Sequence, residues 1–257
     1  MVTPGAIRFR RSAAKRYQRM GTAAGTPSRV DTGQGFSLTI MGAWVDAGQR
    51  AVVWADTECV YRSGRSAGHA NKLTVNVAAG LACVSGGWGD LAQTAAAVAS
   101  DEPTFDEVMD AMPSRLRVQA AKCVDDGRDP RDFSCQTTII AGYSARYGCV
   151  VAFEFTGSAY FAPIIVSRAA YPEVDGVMVL NSPGDVVDVA RRQAADYRQD
   201  WPAIGCGRLT IAQVERGRVM CHAPYDLTGD AWLPAYAPLG LEQPDRLAAM
   251  LPPGAPA

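Results

Sequence analysis

The order of the apolar segments is the feature that most limits how this chain can fold. The sequence predicts strands first, then two helices, more strands, one helix and a last hairpin across Gly217. The predicted strands are 36–45, 50–56, 72–80, 81–87, 135–144, 147–157, 158–167, 207–216 and 217–226, and the predicted helices are 89–100, 104–126 and 183–201. Because strand and helix do not alternate strictly, we expect the α+β class: a four-layer αββα sandwich with two mostly antiparallel sheets between helical layers.

The two ends of the chain differ from this central part in composition. Residues 1–34 are basic, then small and polar, and Arg8–Arg19 holds six basic residues in twelve positions without an acid. We interpret 1–34 as a flexible basic leader or propeptide, 35–226 as the domain, and 227–257 as a Pro/Ala-rich tail with a turn of helix at 244–251. Such a basic run is typical of a solvated arm, so a nucleic-acid partner is disfavoured.

Composition excludes several function classes. The net charge is −1, with 48% hydrophobic and 20% charged residues, as in a globular protein. No segment approaches the roughly 20 apolar residues of a membrane span, and the N-terminus lacks a secretory apolar core, so we predict a cytoplasmic protein without membrane contact. Seven cysteines without a CxxC pair, and only two histidines, indicate buried reduced thiols rather than a metal site. We expect no cofactor.

Four stretches, in order, resemble the proteasome β-subunit pattern of the N-terminal nucleophile (Ntn) hydrolases. They read LTIMGAWVDAGQRAVVWADTE, NKLTVNVAAGLACVSGGWGDL, TIIAGYSARYGCVVAFEF and IGCGRLTIAQVERGRVM, and the similarity as a whole covers roughly residues 37–226. The resemblance implies a β-sandwich between helical layers, in which the first residue of the mature chain attacks a peptide or other amide carbonyl. Its own α-amino group, with a pKa of about 8, then serves as general base.

The resemblance also implies a lysine and an aspartate beside the nucleophile. Asp56 ends an apolar strand and Lys72 follows it by sixteen positions, the spacing of the family pattern. Under this interpretation Asp56 holds Lys72, and Lys72 stabilises the anion of the nucleophile. The alternative is that Asp56 leaves the sheet and faces water. Backbone N–H groups within 85–89 would form the oxyanion hole.

The nucleophile is where the sequence departs from the family. Matched through Gly42, the place of the N-terminal threonine falls on Leu38, which cannot attack a carbonyl; another hairpin length moves Thr39 or Ser37 there. Neither follows a glycine, whereas family propeptides usually end in one. The late acid and serine that would hold the amine are represented by Asp200 alone, because Ile204 or Cys206 occupies the neighbourhood of the serine. These losses point towards a degenerate site.

Three functions therefore compete. The sequence favours a proteasome-like, non-catalytic structural or assembly subunit, with a homo-oligomeric or ring-type partner arrangement and a leader that stays attached. The alternative is an autoprocessed peptidase or amidohydrolase that uses Thr39 or Ser37 with Lys72 and Asp56 on a peptide substrate. A binding module with an unrelated sandwich is the third. The leader itself is a propeptide, a permanent cover of the site or a partner-binding arm.

Overall fold

Strands are the most abundant regular structure in the computed structural model, which describes residues 36–37, 39–60, 66–174, 180–200 and 206–233, all in the unit Gly33–Ala257. The strands are β1 Phe36–Ser37, β2 Met41–Asp46, β3 Arg50–Asp56, β4 Glu58–Val60, β5 Ser66–His69, β6 Leu73–Asn76, β7 Leu81–Trp88, β8 Thr137–Ser144, β9 Cys149–Thr156, β10 Pro163–Val166, β11 Arg168–Tyr171, β12 Arg208–Glu215, β13 Arg218–Cys221, β14 Tyr225–Asp226 and β15 Ala231–Trp232. The helices are α1 Gly89–Asp101, α2 Phe105–Asp125 and α3 Pro183–Asp200, with short 3₁₀ helices at Pro130–Cys135 and Gly157–Ala159.

The strands form two sheets in which every pairing among the described residues is antiparallel. The first sheet runs β10-β9-β8-β7-β1-β4-β5, and β6 also pairs with β7. The second runs β11-β2-β3-β12-β14-β15, and β13 also pairs with β12. The predicted α+β class with antiparallel sheets is therefore confirmed.

Three apolar clusters hold these elements together. Residues of both sheets, such as Val53 and Ile139, share one cluster. A second joins the first sheet to α1 and α2, and a third joins the second sheet to α3. Because successive residues of a strand point to opposite faces, Val53 enters the cluster between the sheets while Trp54 packs with α3. Burial on both faces explains why β3 reads as a continuous apolar run.

The helices agree with their sequence signals. Helix α2 begins after Thr104, whose hydroxyl accepts from the Glu107 backbone N–H at 3.3 Å while the Glu107 carboxylate accepts from that hydroxyl at 2.6 Å. Thr104 therefore caps the start of the helix predicted over 104–126, although the Glu107 carboxylate binds its hydroxyl rather than its backbone N–H. Among the helices of the described residues, none is long and apolar enough to cross a membrane.

Several strand bounds are wrong, and two stretches that were not predicted as strands contain them. The strand predicted over 36–45 is two strands, with 39–40 in neither, and β5 lies in the stretch between β4 and Lys72, where no strand was predicted. The segment predicted as a strand over 158–167 begins with a 3₁₀ helix and a left-handed turn at Tyr160, so that only β10 is extended. Past Asp226 the chain turns and forms β15, within the stretch predicted as a Pro/Ala-rich tail. The leader 1–34 and the predicted helical turn at 244–251 lie outside the described residues.

Candidate active site

A buried ion pair marks the end of β3. The Lys72 ammonium lies 2.9 Å from Asp56 Oδ1, and the two side chains are 5% and 3% exposed. Asp56 pairs with Leu209 across the second sheet, so β12 covers the end of β3. The predicted pairing of Asp56 with Lys72 is therefore confirmed, and the alternative in which Asp56 faces water is wrong.

The Asp56 carboxylate also holds the chain that precedes β2. Its Oδ1 accepts a hydrogen bond from the Ile40 N–H at 3.1 Å, and the Asp56 N–H donates to the Ile40 carbonyl at 2.8 Å. Lys72 in turn donates to the carbonyl of Glu58. One carboxylate oxygen thus binds both the ammonium of Lys72 and the peptide group between Thr39 and Ile40.

Burial dominates the electrostatics of this carboxylate. Desolvation raises the pKa of Asp56 from 3.8 to about 6, and the nearby Glu58 adds to the rise, whereas the positive charge and hydrogen bond of Lys72 oppose it. Since about 6 lies below neutral pH, Asp56 is mostly ionised there and forms a true ion pair with the lysine. Protonation of Asp56 in mildly acidic solution would weaken that pair.

Thr39 lies between the ion pair and the end of β7. The residue is 4% exposed, and its carbonyl accepts from the Tyr197 hydroxyl at 3.2 Å. Its side chain packs against the backbone of Gly86, since a Cβ added to Gly86 would lie 3.1 Å from Thr39 Oγ1. The hydroxyl of Thr39 is therefore close to the Gly-rich segment that the sequence proposes as an oxyanion hole.

Ser37, the other predicted nucleophile, lies in β1. This two-residue strand sits between β4 and β7: Phe36 pairs with both Val60 and Trp88, and Ser37 pairs with Gly87. The segment just before Thr39 is thus part of the first sheet. The structure brings Thr39, Asp56 and Lys72 together around one carboxylate, and Ser37 is held by backbone pairing to β7.

Two residues of the site were not predicted as members, Glu58 and Cys206. Glu58 is 5% exposed and its carboxylate accepts from the backbone N–H of Cys206. Cys206 has a left-handed backbone with φ of 66°, and burial, together with the charge of Asp56, raises the pKa of its thiol to about 12. The thiol is therefore not a nucleophile at neutral pH. The one sequence signal was that Glu58 follows Asp56 at a strand end.

The structure describes the remaining predicted site residues only in part. Asp200 is the last residue of α3, and its side chain and Ile204 lie outside what the structure describes. Within the described ranges, no group of three or more His, Cys, Asp or Glu side chains could hold a metal ion. The arrangement is a buried lysine–carboxylate pair that binds the peptide group following Thr39.

Comparison with known proteins assigns no family to the chain. No protein-family model matches the sequence, and no curated protein matches it.

Proposed function

We propose that this chain is the unprocessed form of a hydrolase with an N-terminal nucleophile, built on a four-layer αββα sandwich, and that Thr39 becomes the nucleophile once the Leu38–Thr39 bond is cleaved. One observation carries the proposal: the buried Asp56 oxygen that binds Lys72 also binds the peptide group joining Thr39 to Ile40. The three apolar clusters, one between the sheets and one against the helices on each sheet, support the layered architecture.

Physical cost argues that the ion pair has a role beyond stability. Removing two charges from water costs several kcal/mol per ion, and well-packed apolar residues of similar volume are often equally stable or better. The side chains of Lys72 and Asp56 are only 5% and 3% exposed, so apolar residues in their place would stabilise the fold about as well. Beside a hydroxyl, however, a desolvated lysine stabilises the alkoxide that attacks a carbonyl.

Strand register favours Thr39 over Ser37 as the nucleophile. Met41 pairs with Ala55, so the two residues before Met41 lie level with Asp56 and the residues that follow it. Ile40 is the residue that Asp56 binds, and Thr39 is its immediate neighbour. A different hairpin length, which moves Thr39 into the place of Leu38 in the family pattern, agrees with this register.

Cleavage would proceed without any added reactant except water. The Thr39 oxygen attacks the carbonyl carbon of Leu38, the bond to the Thr39 nitrogen breaks, and the hydroxyl proton ends on that nitrogen. Water then hydrolyses the resulting ester, which releases the leader as a carboxylic acid and leaves a free Thr39 amine. In the mature chain this amine accepts the hydroxyl proton and passes it to the leaving group of the next substrate.

The position of β1 suggests the substrate class. In the uncleaved chain β1 pairs on both of its edges, with β4 and with β7. Departure of the leader would expose those two strand edges, and an extended peptide could pair with them through its own backbone. We therefore propose a peptide or another amide with an extended backbone as substrate.

A second candidate is a non-catalytic assembly subunit of the same architecture. It is favoured by the same β1 pairing, because a leader that stays attached occupies the place between β4 and β7 permanently. It also agrees with the buried Cys206, since the neighbourhood in which the family has a serine offers a protonated thiol instead. This candidate predicts an uncleaved chain that forms a homo-oligomer or ring.

Intact mass over time separates the two candidates. We expect the purified wild-type chain to lose residues 1–38, Thr39→Ala and Lys72→Met to remain whole, and Thr39→Ser to retain cleavage. Ser37→Ala is the matched control, a hydroxyl removed two residues away, and should be cleaved like the wild type. Cleavage before Ser37, or a wild-type mass that never changes while native mass spectrometry shows a ring, would reject Thr39 as the nucleophile.

A further inference from the structure

Beyond the last backbone pair of the ladder between β7 and β8, a glutamine side chain binds β7. The last pairs of the ladder are Ser85 with Thr138 and Gly86 with Thr137. Gln136 precedes Thr137 in the chain and would be the next residue of β8 to pair with β7. Its backbone does not pair with β7, because its N–H donates to the Phe133 carbonyl at 2.9 Å and its carbonyl accepts from the Gly157 N–H at 2.9 Å.

The side chain of Gln136 continues the ladder instead. Its Oε1 accepts from the Trp88 N–H at 2.7 Å, and its Nε2 donates to Ser85 Oγ at 3.0 Å. Gln136 is 0% exposed, so these hydrogen bonds are shielded from water. A single amide group thus holds both ends of the segment Ser85–Trp88, and the two glycines lie between its contacts.

Gln136 and Thr39 lie against opposite faces of this segment. A Cβ on Gly86 would come within 3.1 Å of Thr39 Oγ1, whereas a Cβ on Gly87, with φ of 112°, would lie 2.4 Å from Gln136 Oε1. Consecutive residues of a strand present opposite faces, which is the arrangement seen here. The backbone that faces the hydroxyl of Thr39 is therefore backed directly by the amide of Gln136.

We propose that Gln136 is a positioning residue for cleavage at Thr39, which fixes the backbone on both sides of Gly87 so that the Gly87 N–H is set to receive the developing oxyanion; this inference rests on the proposed function. Glycine has the largest backbone freedom to lose, so two consecutive glycines hold a donor in place only if another group restrains them. Donors for an oxyanion act because their position is fixed in advance.

The test compares two buried glutamines. We expect the rate of leader cleavage, measured by intact mass, to fall by roughly 10- to 100-fold in Gln136→Leu. This decrease is smaller than or comparable to the decrease caused by removing a whole oxyanion donor. Gln193→Leu is the matched control: Gln193 is also 0% exposed and binds Trp54 Nε1 at 3.1 Å on the α3 side. It should lose comparable thermal stability but keep the wild-type rate. Gln136→Glu, which retains an acceptor for the Trp88 N–H, should recover much of the rate.

A readout independent of cleavage separates the two proposals. Hydrogen–deuterium exchange of the peptide that spans Ser85–Trp88 should quicken in Gln136→Leu and stay unchanged in Gln193→Leu. If the wild type is not cleaved at Thr39, the proposed function fails, while faster exchange there would still show that Gln136 holds the segment. If the wild type is cleaved and both leucine variants slow it equally, the positioning role of Gln136 is overturned and the proposed function stands.

Discussion

Replacing Lys72 with Met should add a pH dependence to the stability of the protein above pH 6, where Asp56 adds none in the wild type. Lys72 is the cation bound to Asp56, whose side chain is only 3% exposed. Without it, Asp56 must be either ionised and unpaired in the interior or protonated. The protonated form costs less, so the pKa of Asp56 in the variant rises above the wild-type value of about 6.

The magnitude follows from proton linkage. Because the folded pKa of Asp56 is raised from 3.8 to about 6, its contribution to wild-type stability is present in full below pH 3.8, is lost as the pH rises to about 6, and is level above that. In Lys72→Met the loss continues above pH 6 at about 1.4 kcal/mol per pH unit. Between pH 6 and pH 8 the variant should therefore lose about 3 kcal/mol more stability than the wild type does, which approaches the roughly 3–5 kcal/mol for breaking a buried pair.

Urea unfolding between pH 5 and 8 measures this, with Thr39→Ala in every variant so that cleavage does not interfere. Lys122→Met, on the exposed last turn of α2, is the matched control and should cost under about 1 kcal/mol at every pH. Adding Asp56→Asn to Lys72→Met should abolish the added pH dependence and return the slope of the wild type. Parallel curves for Lys72→Met and the wild type across this range would refute the reasoning.

Three further predictions concern other groups. Leader cleavage should slow as the pH falls through about 6, because Asp56 becomes protonated and its pair with Lys72 weakens; equal rates at pH 5 and pH 8 by intact mass would contradict this. Gly42→Ala should lower the thermal midpoint, at a cost of about 1–3 kcal/mol or more, since a Cβ would lie 2.2 Å from Trp54 Cζ2; an unchanged midpoint argues against it. Burial raises the pKa of Glu154 from 4.5 to about 7, so stability is lost as pH rises through that window. Glu154→Gln should be more stable than the wild type at pH 8 by up to about 3 kcal/mol, but not at pH 4, in chemical unfolding; equal differences at both values would rule out that titration.

Local sequence signals were sufficient to predict an element whose structure depends mainly on its own residues. The cap of α2 at Thr104 and the apolar run of β3 were both readable, because a cap lies within four residues and a buried strand shows its burial on both faces. The Asp56–Lys72 pair was predicted from family spacing rather than from local chemistry. The structure places the two side chains together as that spacing implies.

Elements that depend on partners far away in the sequence could not be predicted from the sequence alone. Strand β5 lies in a polar, glycine-containing stretch and is extended because it pairs with β4. Strand β1 has only two residues and takes its position from β4 and β7. The role of Gln136 has the same origin, since its contacts with Ser85 and Trp88 cross about fifty positions of sequence. No short-range periodicity carries such information.

Several local rules of folding are broken together at the candidate site. A surface pair such as Asp46–Arg50, at 45% and 28% exposure, costs the fold little and contributes little. Around Asp56, by contrast, two carboxylates and a lysine are buried, and Cys206 adopts a left-handed backbone beside them. Departures of this kind concentrate at functional sites, where stability is given up for chemistry. Because the cluster is bonded to the residue that follows Thr39, whether the chain is cleaved before Thr39 decides between a working hydrolase and an assembly subunit that retains the same architecture.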